Sequence, residues 1–158
     1  MPLPSGVDTA IAEQVRDTCL CLHAQRTARA LARRFDRALR PAGLTNAQFS
    51  LLMALNRPAP ASVRELAALL GADRTTLTAA FKPLIRQGLA LMAVDGTDAR
   101  ARRITLTAQG QARLATALPL WRAAHAALEG EIEASVLTRL AQDLKALEQA
   151  AGRSSRRG

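Results

Sequence analysis

The chain has 158 residues, 49% of them apolar but only 3% aromatic, and a formal net charge of +9 from 22 Lys and Arg against 13 Asp and Glu. This length suits one domain's worth of core, and no apolar stretch approaches the roughly 20 residues a bilayer-spanning helix needs. The cationic excess favours a polyanion, nucleic acid or an anionic surface, although solubility or a coding bias towards Arg and Ala would leave the same imprint.

The apolar residues are mostly Ala and Leu, strong helix formers with little strand preference. A mainly helical protein with thin packing follows, its burial completed by a second subunit. Cys19 and Cys21 are too few for a disulfide framework. Met1 to Gly6 has no basic residue ahead of an apolar run, so no signal peptide is expected and the chain is placed in the cytoplasm.

After a lead containing Pro2, Pro4 and Gly6, one long helix is predicted from Thr9 to Arg40, stopping before Pro41. Leu20, Ala24, Ala28, Leu31, Phe35 and Leu39 share one face of it, and Arg26, Arg29, Arg33, Arg37 and Arg40 the other. Thr45-Asn46-Ala47-Gln48 is a capping box that opens a helix carrying Phe49, Leu52, Met53 and Leu55. A second box, Ser62 to Glu65, opens a short helix through Leu66, Leu69 and Leu70 that ends at Gly71. Asp73 caps a third, Arg74 to Gln87, which stops at Gly88. Pro83 within it removes one backbone hydrogen bond, but Leu84 keeps the apolar register, so a bent helix is expected to continue.

From Leu89 the period changes to two. Leu89, Leu91 and Ala93 alternate with their neighbours, Asp95-Gly96-Thr97-Asp98 turns, and Arg103 to Leu106 returns. Thr107 caps another long helix, with Leu114, Leu118, Trp121, Ala124 and Leu128 on its face. A last helix, Glu133 to Ala150, presents Val136, Leu140, Leu144 and Leu147.

Two helices joined by Gly71-Ala72-Asp73 and followed by a hairpin make a helix-turn-helix with a wing. On the second helix, Leu77, Ala80, Phe81 and Leu84 form a core side. Thr75, Ala79, Lys82 and Arg86 form the outer side, with Arg74, Thr76 and Thr78 near its N-terminal end. Hydroxyls, cations and a small methyl without acidic neighbours suit phosphates, base edges and thymine methyls in a major groove. Arg64 on the preceding helix joins this set. The wing carries Arg100, Arg102 and Arg103 after Asp98. A guanidinium at its tip suits a minor groove, with Arg100 and Arg102 the candidates, and Asp98 pairs Arg100 or another arginine to fix the tip. An ordinary solvated face is the bland alternative.

The chain resembles the MarR family of bacterial transcriptional regulators. Asp98-Ala99-Arg100-Ala101-Arg102-Arg103-Ile104-Thr105-Leu106-Thr107 with Gly110 is the most specific match; Gly88-Leu89 and Leu44-Thr45 with Gln48-Phe49 extend it. The resemblance covers nearly the whole chain. It implies a homodimer with interlocked first, fifth and sixth helices, each subunit reading half a palindromic operator in double-stranded DNA. It also implies control by a small ligand or by oxidation. Met92, where many members place a basic residue, and Pro83 depart from the pattern.

The expected fold class is therefore mainly α, a winged helix-turn-helix with long N- and C-terminal dimerisation helices and one small β-hairpin wing. Residues 9–42 and 107–151 are assigned to the dimerisation lobe, 43–106 to the DNA-binding lobe, and 1–8 and 152–158 to flexible tails.

Cys19, His23 and Arg26 are the candidates for a ligand or redox response. On a continuous helix, Cys19 and Cys21 point roughly 160° apart and do not bridge easily. Cys21 falls on the apolar face and Cys19 on the arginine face, with His23 one turn away; a nearby cation lowers a thiol pKa. Packing is the commoner role for such cysteines, and a metal site built with His125 needs three separate proximities. A small aromatic or phenolic ligand is implied by the family, with Arg26 or Arg29 placed to pair a carboxylate. Trp121 reads as dimer core and His125 as a half-buried dimer residue. No cofactor is expected, and no phosphate loop or nucleophile motif supports an enzyme. Repression is the expected mode of regulation; the alternative is a winged-helix module that binds protein, or DNA without sequence preference.

Overall fold

The computed structural model describes residues 8–98 and 101–154. Its helices are α1 (Thr9–Thr18), α2 (Leu20–Leu39), α3 (Asn46–Leu55), α4 (Val63–Leu70), α5 (Arg74–Arg86), α6 (Ala108–Glu131) and α7 (Ala134–Ser154). Strands β1 (Ala61–Ser62), β2 (Ala90–Val94) and β3 (Arg102–Leu106) form an antiparallel sheet in the order β1-β3-β2. The protein is thus mainly helical, with a winged helix-turn-helix at its centre.

The caps fall where polar side chains satisfy orphan amides. Thr45 and Ser62 form full capping boxes with Gln48 and Glu65, Asp73 accepts from the Thr76 amide, and Thr107 from the Gly110 amide. Gly71 and Gly88 end their helices at φ 62° and 71°, a region in which a side chain is strained. Helix α5 continues through Pro83 to Arg86.

One hydrophobic core runs from Phe35 and Leu39 of α2, through Leu52, Leu66, Phe81, Leu84, Leu89 and Ile104, to Leu114 and Ala117 of α6. Both long helices are therefore seated in the winged-helix core. On α6, Trp121 is half-buried and stacked on Phe49 of α3 with ring centroids 6.0 Å apart, and the His125 ring centroid lies 4.9 Å from that of Trp121. Arg34 pairs in bidentate fashion with Glu131, at 2.7 and 2.8 Å, which pins the end of α6 to α2.

Several local expectations are corrected. The predicted first helix is two, broken at Cys19, whose backbone is extended (φ −71°, ψ 104°) while its Sγ caps the Leu22 amide. Neither Gly nor Pro marks this break. Pro41 lies inside a short 3-10 turn, Arg40–Ala42. Met53 and Leu69 are exposed, and Leu51 and Ala67 are buried in their place. Strand β1 was not foreseen, and α7 runs past Ala150 to Ser154.

Candidate nucleic-acid interface

Helix α5 is held by Leu77, Phe81 and Leu84, all buried. With a 3.6-residue repeat, that anchoring turns Thr75, Ala79 and Lys82 outward. They face the wing across an open groove of about 1000 Å³. Seven of the ten predicted DNA-contacting residues line it: Arg64, Arg74, Thr75, Thr78, Lys82, Asp98 and Arg102. Ala79, Ser62, Val63, Glu65, Ala101 and Arg103 complete the wall.

The other three fare differently. Thr76 does not line the groove; its amide and hydroxyl donate to the two carboxylate oxygens of Asp73, at 2.8 and 2.6 Å. It serves the helix cap, and those bonds hold the Asp73 carboxyl below its usual pKa. Arg86 is exposed at the end of α5, outside the groove lining. Arg100 lies outside the described residues. Within the groove, the Thr78 hydroxyl donates to the Arg74 carbonyl at 2.7 Å, so its proton is committed while its oxygen can still accept.

Arg103 carries a role the sequence reading missed. Its Nε donates to the Asp95 carboxylate, its Nη1 to the Pro60 carbonyl at 3.1 Å, and Glu65 Oε2 lies 4.0 Å away. Asp95 Oδ1 accepts from the Thr97 amide at 2.8 Å and the Thr97 hydroxyl at 2.7 Å. The Thr97 bonds, amide first, and then Arg103 hold the Asp95 carboxyl at a pKa of about 2. Because that value lies below the ordinary 3.8, the stabilisation is present above about pH 4 and is lost as pH falls towards 2. The cluster is therefore intact at neutral pH. The available signal was cross-strand register: Asp95 stands opposite Ala101, which makes Arg103 its diagonal neighbour.

The candidate sensing residues sit apart from the groove. His23, Arg26, Arg29 and Arg33 line a shallow depression of about 670 Å³ on α2. His23 Nε2 lies 3.1 Å from the Asp17 carbonyl, so the ring is engaged by α1. Cys21 is exposed, not core, with Gln25 Nε2 donating to its Sγ at 3.2 Å. Among the described residues, no group of three or more His, Cys, Asp and Glu is placed to hold a metal ion. No helix among them is long and apolar enough to cross a membrane.

Two helices on a tight glycine turn, a polar outer face and a paired wing define a winged helix-turn-helix protein of the DNA-binding kind. The sequence profile of the MarR family matches residues 42–101. The Mycobacterium tuberculosis transcriptional regulator MosR, solved in complex with DNA, is 41% identical; the match covers 86% of this chain and 98% of that one, with a TM-score of 0.79. The transcriptional repressor CouR, bound to a 23-mer DNA duplex, is 25% identical over 90% of this chain and 99% of that one, with a TM-score of 0.74. PcaV of Streptomyces coelicolor, in complex with its natural ligand, shares the fold at 20% identity, covering 93% and 99% of the two chains with a TM-score of 0.77. A comparison with curated proteins finds no match. The chain belongs to the MarR family of winged helix-turn-helix, DNA-binding transcriptional regulators.

Proposed function

We propose that this protein is a sequence-specific repressor, and not an enzyme, that binds a palindromic operator as a homodimer in the cytoplasm. The observation that carries this reading is the groove between α5 and the wing, where Thr75, Ala79 and Lys82 stand among arginines. Hydroxyls and a methyl read base edges, while the cations hold phosphates. In this reading residues 43–106 contact DNA, and residues 9–42 and 107–151 hold the dimer.

Dimerisation is supported by apolar side chains left exposed in the single chain. Ile11 and Val15 on α1, Leu20 on α2, and Val136, Leu140, Leu144 and Leu147 on α7 are all more than 40% exposed. Exposed side chains at helical spacing on α7 favour a second helical surface, and a two-fold dimer reads a two-fold operator. MosR with DNA supports DNA binding, and CouR, a DNA-bound repressor, supports the direction of regulation.

Release of DNA by a small aromatic ligand or an oxidant completes the proposal. The p-coumaroyl-CoA complex of CouR from Rhodococcus jostii and the PcaV complex support a ligand. The break at Cys19 supports oxidation: the thiol caps α2 at the α1–α2 junction, so its modification would unsettle that junction. The helical separation of Cys19 from Cys21 also no longer applies.

Gel-shift titration against palindromic and random duplexes tests specificity; equal affinity with a steep salt dependence would sink it. Peroxide is expected to release DNA from the wild type but not from Cys19→Ser. Identical behaviour of the two proteins would remove the thiol from the mechanism.

A further inference from the structure

Beside the β1–β3 pairing and the buried Ile104, the side chain of Arg103 adds a polar tie between the base of the wing and the helix-turn-helix. Arg103 sits on β3 opposite Ser62 of β1, and Ser62 is also the N-cap of α4. From that position its guanidinium reaches three separate segments. It donates to Asp95, where β2 gives way to the turn, and to the Pro60 carbonyl just before β1, and it approaches Glu65 in the first turn of α4. Glu65 is itself engaged, its Oε2 accepting from the Ser62 amide at 2.7 Å. Asp95 is largely buried, with a side chain 9% exposed, and its second oxygen fixes Thr97 inside the turn.

We propose that Arg103 is a positioning residue: its bonds to Asp95 and Pro60 set the angle of the wing against α4, and so the width of the groove that receives DNA. The inference rests on the DNA-binding reading but concerns a residue acting through others. A guanidinium that donates to a carboxylate and a carbonyl in fixed directions holds an angle that a flexible ammonium cannot. The wing tip contributes local backbone bonds, Ala101 amide to Asp98 carbonyl at 2.9 Å and Asp95 amide to Ala101 carbonyl at 3.0 Å. These close the turn on itself; the side chain of Arg103 reaches past the hairpin, to Pro60 and towards Glu65.

Two variants separate the possibilities. Arg103→Met keeps an apolar stem without the polar head, and Asp95→Asn keeps an Asx turn while removing the charge. The probe is the duplex that wild-type protein enriches most from a randomised library, compared with the unselected library. Arg103→Met should bind the selected duplex about tenfold more weakly, the scale expected for losing charge-assisted bonds. The slope of log affinity against log salt should stay unchanged. Adding Asp95→Asn should weaken binding little further, since both act on one interaction.

A slope lowered by about one would make Arg103 a phosphate contact and overturn the proposal. Equal losses on both duplexes together with a lower melting temperature would make it a stability residue, again overturning it. Hydrogen exchange of the free protein supplies a readout independent of sequence preference. Arg103→Met should speed exchange at the Asp95 and Ala101 amides while leaving α5 amides unaffected. Unchanged wing exchange overturns the proposal even if the protein proves to bind DNA specifically. Faster wing exchange beside a wild type that enriches no duplex would instead uphold the tie and count against the operator reading.

Discussion

At the scale of single residues, the outer face of α5 divides by what each side chain already does. Thr76 is spent on Asp73, and Thr78 has given its proton to a carbonyl. Thr75 and Lys82 remain in the groove, and their chemistry predicts two different losses. Thr75→Ala should flatten the preference among base substitutions with little change on random DNA. Lys82→Ala should weaken all duplexes alike and lower the salt slope by about one; both are read from binding isotherms at several salt concentrations. The distinction between Thr75 and Thr76 was legible in principle, because Asp73 stands three residues before Thr76, the spacing of a cap. The role of Arg103 was legible only in part: the hairpin register places it diagonal to Asp95, but nothing in the sequence announces its bond to Pro60, 43 positions away.

At the scale of elements, the joint between recognition helix, wing and α6 is closely packed. Thr107 Oγ1 donates to the Gly88 carbonyl at 2.6 Å, and the Thr107 amide to the Leu89 carbonyl at 3.2 Å. A Cβ at Gly110 would lie 2.1 Å from that Leu89 carbonyl, a backbone atom that cannot step aside. Gly110→Ala should therefore destabilise the fold by at least about 1–3 kcal/mol, seen as a melting temperature several degrees lower by circular dichroism. Elements with strong end signals were legible: the Thr45, Ser62, Asp73 and Thr107 caps, the Gly71 and Gly88 stops, and the turn of the hairpin. The face of β2 was not, since Ala90 and Met92 turn inward while the expected Leu91 and Ala93 are exposed. Elements without end signals were not legible either. Strand β1 is two residues long and exists only because β3 offers it an edge. The α1–α2 break rests on a cysteine cap, which no helix-stop residue announces.

At the scale of the whole molecule, burial is lopsided. The core closes around the wing and the adjoining halves of α2 and α6, whereas every described α7 side chain but Leu137 is exposed. Composition anticipated this imbalance, because Ala-rich helices offer little to bury within one chain. Leu144→Asp, at a position 48% exposed here, should leave the winged-helix core folded. In the proposed dimer it would bury a charge without a partner. Sedimentation should then show a monomer, with affinity for an operator reduced far more than helix content. A dimer that persists unchanged would move the interface away from α7.

The joint at Gly88, Thr107 and Gly110 makes α6 a lever arm. Its 24 residues span roughly 36 Å at the usual helical rise, with the far end gripped by Arg34 through Glu131. Pivoting about that grip, a tilt of about 5° would sweep the other end through about 3 Å over such a length. That end is fixed to recognition helix and wing by the Thr107 bonds to Gly88 and Leu89, and 3 Å approaches the 3.4 Å spacing of bases along one strand. A disturbance far from DNA, too slight to unfold anything, would be enough to put both reading heads out of step with the double helix.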